Sequence, residues 1–179
     1  MVKLLINNGA STQTKTEIPH KSPIQLAANG GHLTVMDELA KHGIDWKEKD
    51  DWGWTLLHEV AATGNVEAIR WVTERSRGMA NVCDKLGRTP LLTALIAGNG
   101  VEAVQELLNN GENPAEEDEV GRTPAEAAVL YCSADVVQIV LDATKKNKEI
   151  EVDADKLILI AEDHIQPDVV KHIIETTLN

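Results

Sequence analysis

The sequence predicts an all-α fold, a solenoid of stacked helix–turn–helix pairs with projecting turns between them. Three observations carry that prediction. First, one phrase recurs in register: Ser22-Pro23-Ile24-Gln25, Thr55-Leu56-Leu57-His58, Thr89-Pro90-Leu91-Leu92 and Thr123-Pro124 begin 33 or 34 residues apart. Self-similarity at that period marks layers too thin to bury an apolar face alone, so neighbours must stack. Second, Gly31, Gly64 and Gly98 close the short apolar run that follows three of these phrases. Third, the chain is 42% hydrophobic but only 3% aromatic, with no Phe. That suits thin layers of Ala, Leu, Val and Ile better than one large core.

The elements follow in order. Met1–Asn8 reads as the second helix of a pair whose first helix is missing, ending at Asn7-Asn8-Gly9. It implies either further repeat upstream or a degenerate N-terminal cap. Polar residues 10–21 form a projecting turn. Ser22–Ala28 is a first helix, Gly30-Gly31-His32 a corner, and Leu33–His42 a second helix stopped by Gly43. After the turn of Asp45–Gly53 come Thr55–Thr63 and Val66–Glu74. Ser76-Arg77-Gly78-Met79 adds the residue that makes the period 34. Thr89–Ala97 and Val101–Asn109 form the next pair, followed by the acidic turn Gly111–Val120. Thr123–Tyr131 and Asp135–Ala143 come after it. Here Cys132 stands where the other corners have glycine, which predicts a reshaped corner, because a left-handed backbone strains any side chain. Lys145–Asp153 is a charged connection. Lys156–Asp163 and Pro167–Thr176 make an atypical last pair, with Val169 and Val170 in register with Val136 and Val137.

The T-P-L phrase, the alanine pairs Ala27-Ala28 and Ala61-Ala62, and the Gly31-His32 corner together resemble the ankyrin repeats. The resemblance covers the whole chain as one ankyrin-repeat domain. Residues 1–21 are a partial repeat and finger; 22–54, 55–88, 89–122 and 123–155 are repeats; 156–179 is an atypical C-terminal repeat. It implies a solenoid with projecting β-turn fingers, and a structural role for His58 as a hydrogen-bonded link between repeats. It also implies Asn81 in a finger position where Asn is common. The recurring Thr has its own physical reason, since its hydroxyl caps the free amides of the first helical turn. Proline after it loses an amide hydrogen that had no partner anyway.

The net charge of −12 argues against nucleic acid or an anionic membrane as the main partner. No apolar run is long enough to span a bilayer, and the first residues lack a secretory signal. Cys83 and Cys132 occupy unrelated repeat positions and read as free thiols of a reducing compartment, so a cytoplasmic location is expected, or a host cytoplasm for a secreted bacterial effector. His58-Glu59 begins a zinc-protease phrase, but Ala62 replaces the second histidine. The other histidines show no ligand spacing. No catalytic residue, metal or cofactor is expected.

Repeat arrays bind partners on the face made by fingers and first helices. Trp46, Trp52 and Trp54 crowd one finger, whereas Trp71 falls on a core-facing position. Trp52 and Trp54 would either anchor a partner or fold back on the next finger; Trp46 would fold back. Leu92, Ile96, Leu130 and Tyr131 would extend an apolar groove, rimmed by Arg88 and Arg122, and Glu116, Glu117 and Asp118 make one tip acidic. The expected function is a monomeric, non-catalytic module that binds a partner protein or peptide on the concave face. The alternative is a targeting or substrate-positioning repeat segment of a larger multidomain enzyme or bacterial effector.

Overall fold

A computed structural model describes residues 2–45, 47–76, 79–147, 152–163 and 167–178. Expectations for Trp46, the Arg77-Gly78 insertion and His164 lie outside these residues. The described residues contain helices and turns and no strand assignment. Helix α1 (Val2–Asn7) packs on α3 (Leu33–Ala40), the partner of α2 (Pro23–Asn29). Three similar pairs follow: α4 (Leu56–Thr63) with α5 (Val66–Arg75), α6 (Pro90–Ile96) with α7 (Val101–Asn109), and α8 (Pro124–Tyr131) with α9 (Ala134–Lys146). The last pair is α10 (Ala154–Ile160), continued by a tight turn at Ala161–Asp163, with α11 (Pro167–Leu178). First helices α2, α4, α6, α8 and α10 stack consecutively in one row, and α5, α7, α9 and α11 in another.

Capping sets where the first helices start. Thr89 Oγ1 accepts from the Leu92 amide at 3.2 Å and Thr123 Oγ1 from the Glu126 amide at 3.2 Å. Ser22 and Thr55 instead form reciprocal caps with Gln25 and His58. The alanines Ala28, Ala61, Ala94 and Ala127 are fully buried, which lets adjacent layers approach closely. Helix α9 runs three residues beyond its expected end and α10 starts two residues before its expected start, at an Asp153 cap whose Oδ1 accepts from the Lys156 amide.

The corner at Cys132 differs from the others. Gly31, Gly64 and Gly98 have φ of +68°, +66° and +71°, whereas Cys132 is extended at φ −116°, ψ 173°. The residue that turns left-handed elsewhere is thus straightened here, and its thiol is buried, donating to Leu95 O at 3.3 Å. Burial pushes that thiol up to about 11. Trp71 is buried against the core, and its indole N–H reaches Asp37 Oδ1 on α3 at 2.6 Å.

Candidate functional site

The fingers are built by a residue the repeat phrase does not contain. Asp50, Asp84 and Asp118 stand 34 residues apart, each four residues before Trp54, Arg88 or Arg122. Each Oδ1 accepts two amides: those of Trp52 and Trp54, of Leu86 and Arg88, and of Val120 and Arg122, at 2.8–3.1 Å. The carboxylate therefore folds its own turn, with glycine at left-handed φ in between (Gly53 +83°, Gly87 +73°, Gly121 +76°). One main-chain bond ties each finger to the next: Lys85 N–H to Trp52 O and Glu119 N–H to Leu86 O, both 2.9 Å. A Cβ on Gly53 or Gly87 would stand 2.8 Å from the donating nitrogen, so the close approach also demands glycine there.

This turn fixes what projects. Trp52, Leu86 and Val120 share one register position at the tips and are 51%, 53% and 78% exposed; in the first finger that position is Pro19, whose carbonyl accepts the Asp51 amide. The sequence reading singled out Trp52 alone. The 34-residue spacing of Leu86 and Val120 was the available signal, but each is an ordinary aliphatic residue when read singly.

Trp52 and Trp54 meet edge to face with ring centroids 6.1 Å apart. The Lys21 ammonium lies 5.2 Å from the Trp52 ring and 5.4 Å from the Trp54 ring, and pairs with Glu59 Oε1 at 2.5 Å. Glu59 is fully buried; burial raises its carboxyl above the usual range, against the lowering effects of Lys21 and of Asn29, which donates to Oε2. The Trp54 indole N–H donates to Asp84 Oδ2 at 3.1 Å, and its ring stacks on His58. Trp54 thus folds back on the next finger, while Trp52 keeps half its surface free.

Arg88 grips the same carboxylate, Nε to Asp84 Oδ2 at 2.8 Å. Burial would raise Asp84, but its bonds from Arg88 hold it below the usual carboxylate range. Arg122 makes a looser pair with Asp118 at 4.0 Å, and its guanidinium lies 5.8 Å from the Tyr131 ring. Leu130 and Tyr131 are 45% exposed at the tail of α8, and Ile96 is half-buried at the tail of α6. Leu92 does not line this face. It is fully buried, because its position three residues into the helix points toward the next layer. The structure therefore joins Trp52 with Trp54, Trp54 with Arg88 through Asp84, and Arg122 with Tyr131. The main chains of the fingers and the tails of α6 and α8 stand a helix about 12 Å long apart, a span that the Arg122 side chain bridges toward Tyr131.

His58 performs a structural task. Its Nδ1 accepts from the Thr55 amide at 3.2 Å and its Nε2–H donates to Arg88 O at 3.0 Å, which fixes the tautomer. Burial lowers its pKa to about 4, against the raising effect of the Arg88 carbonyl. Among the described residues no group of three His, Cys, Asp or Glu side chains is placed to hold a metal ion. No helix among them is long and apolar enough to cross a membrane.

Layered helical pairs joined by hydrogen-bonded fingers define the class of stacked repeat proteins. Two family models, described as ankyrin repeats in many copies and ankyrin repeats in three copies, match residues 24–73 and 75–153. The chain belongs to the ankyrin-repeat family. It is 32% identical over 122 residues to the B-cell lymphoma 3 protein homolog of Mus musculus, covering 63% of this chain and 26% of that protein. It is 26% identical over 153 residues to the phosphocholine transferase AnkX of Legionella pneumophila, covering 84% of this chain and 16% of that protein. A third relative is the transient receptor potential cation channel subfamily A member 1 homolog of Caenorhabditis elegans, 29% identical over 108 residues, 60% of this chain and 9% of that protein. The chain thus spans about a quarter or less of the length of these relatives. Ankyrin repeats are in general protein-interaction modules.

Proposed function

We propose that the array is a non-catalytic module that docks a partner protein or peptide on the face made by its fingers and first helices. The observation that carries this reading is the row Trp52, Leu86 and Val120, three exposed apolar side chains held in register on successive tips. Each finger with its returning chain adds two chain widths of about 4.8 Å, so the row repeats every 10 Å or so and runs about 20 Å. Trp52 is its aromatic anchor, backed by Trp54 and the Lys21 ammonium. Leu130, Tyr131 and Ile96 extend the contact along the tails of the first helices, with Arg88 and Arg122 between the two zones. The repeats fall at 22–54, 55–88, 89–122 and 123–155, with residues 1–21 and 156–179 as partial or atypical ends. The module acts as a monomer in the cytoplasm, a compartment that suits two free thiols.

The test is crosslinking and mass spectrometry with the wild type and a Trp52→Ala, Leu86→Ser double variant as baits. A specific partner crosslinked to the finger residues of the wild type and lost from the variant is expected. The same partner retained at full yield by a folded variant would sink the fingertip assignment.

A second reading is favoured by the transferase among the relatives, which matches 84% of this chain. In it the array positions substrates for a catalytic domain of a larger enzyme or effector. Activity of the full-length protein that falls in the fingertip variant, with the catalytic domain intact, would support it.

A further inference from the structure

Among the described residues, the row of Asp-folded fingers stops one layer before the row of first helices does. The connection from α7 to the cap of α8 is residues 110–122, thirteen residues; from α9 to the cap of α10 it is residues 147–152, only six. Among the described residues the finger Asp118–Arg122 is the last one folded on an Asp carboxylate, and its outer edge borders a cleft of about 410 Å³.

The backbone records the difference. In earlier layers the carbonyl of the tip residue, Trp52 or Leu86, accepts the amide of the next finger. The equivalent carbonyl in the last finger is that of Val120. A Cβ on Gly53 or Gly87 would strike the next finger at 2.8 Å, whereas one on Gly121 would meet only Glu117 of its own finger, at 3.8 Å. Among the described residues an unpaired main-chain acceptor, Val120 O, is thus presented at the open edge of this finger.

The cleft has a floor and a charge. Thr144, Leu157 and Ala125 form its inner wall, and all three are buried. Its charged lining is Glu117, Glu126, Asp153 and Lys156. Lys156 is taken up by Glu126, with Nζ–Oε1 at 2.6 Å. Glu117 and Asp153 then remain without a cation in the lining, and Glu119 adds a further exposed carboxylate beside Val120.

The geometry points to a second docking site, distinct from the fingertip row: an extended basic segment of a partner protein adds to the Val120 edge as the missing strand. Its main-chain N–H donates to Val120 O, as Lys85 and Glu119 do to the fingers before them. Its lysine or arginine side chains reach Glu117 and Asp153, and a small apolar side chain rests on Ala125 and Leu157. A non-helical segment fits because the residues that cover the Trp52 and Leu86 edges, Lys85 and Glu119, donate from non-helical chain. A helix spends its interior amides on itself. A basic segment fits because the lining is net negative, and a second copy of this chain, at net charge −12, brings the wrong sign.

The test uses the 179-residue chain and three acetylated, amidated hexapeptides: Lys-Val-Lys-Val-Lys-Val, its Glu-Val counterpart, and the Lys-Val peptide N-methylated on alternate residues. Amide chemical shifts are followed by NMR at millimolar peptide. The Lys-Val peptide is expected to shift Glu119, Val120, Gly121 and residues 152–157. The acidic and N-methylated peptides should bind at least about tenfold more weakly, and Glu117→Lys should weaken the Lys-Val peptide about tenfold with the helical circular dichroism unchanged. Trp52→Ala should leave these shifts in place, which separates this site from the fingertip row. Absence of shifts at Glu119–Gly121, equal binding of the N-methylated peptide, or loss of the shifts in Trp52→Ala would each overturn the proposal.

Discussion

His58 and Leu92 hold the same place in successive layers, three residues after the capping threonine, and both are fully buried. His58 crosses to the next layer and donates to Arg88 O, while also accepting from the Thr55 amide. Leu92 offers only apolar surface. Gln25, one layer earlier, acts as His58 does, with Nε2 donating to Trp54 O at 3.0 Å. At this position the N-terminal layers are therefore pinned by a directed hydrogen bond and the Thr89 layer by packing; that layer takes its directed bonds elsewhere, from Leu91 N–H to Glu112 Oε2 and from Cys132 Sγ to Leu95 O. Directed bonds fix the angle between layers, whereas packing contributes energy with little directional preference.

The contrast can be broken from either side. The largest effect is expected for Leu92→Ala, about 3 kcal/mol lost in urea unfolding, because the residue has no exposed surface and its neighbours collapse only partly. Titration should sharpen the contrast next. His58 keeps a pKa of about 4 against an ordinary 6.5, so the unfolded chain takes up a proton that the native state refuses. Stability from this group is present above pH 6.5 and falls by up to roughly 3 kcal/mol as pH drops toward 4.

Glu112, buried beneath Asn81 and Leu91, has the opposite sense. Burial raises it to about 7, against bonds from the Asn81 and Leu91 amides. Its contribution is full below pH 4.5 and is lost as pH rises through 7, by a similar amount. The two slopes oppose each other between pH 4.5 and 6.5. Urea midpoints there should tilt toward acid stability in His58→Leu and toward alkaline stability in Glu112→Gln. Parallel profiles for the two variants would refute both assignments.

A smaller effect, about 1 kcal/mol, is expected for Thr89→Ala, which frees the Leu92 amide; thermal unfolding would read it. Smallest is Trp52→Ala, expected to cost roughly half of that in the same measurement, since half the ring is already in water. Its consequence is expected in partner binding rather than in stability.

The layers were legible in the sequence because threonine, proline, alanine and glycine each meet a backbone requirement that recurs every 33 or 34 residues. The helices came out within a few residues for the same reason. The site was legible only in part. Trp52 stood out by size, but the tips Leu86 and Val120 carry no local signal and acquire meaning only when three fingers align. Asp50, Asp84 and Asp118 were readable as a periodic acid but are hidden in an acidic chain. Leu92 was misplaced because its departure from the histidine of the family phrase suggested exposure; the same position in His58 is buried, and a leucine there is buried too. The partnership of Lys21 with Glu59 joins residues 38 positions apart in sequence, and no spacing rule reaches that far.

The single main-chain bond between successive fingers has a mechanical consequence. On the helical side, layers touch through broad side-chain surfaces that tolerate small sliding. On the finger side, Lys85 N–H to Trp52 O and Glu119 N–H to Leu86 O are short tethers of fixed length. Flexing the array open must stretch those tethers before it separates the helices. The curvature offered to a partner is therefore set by a few peptide groups, and their amide hydrogen exchange would report each opening of the array, layer by layer.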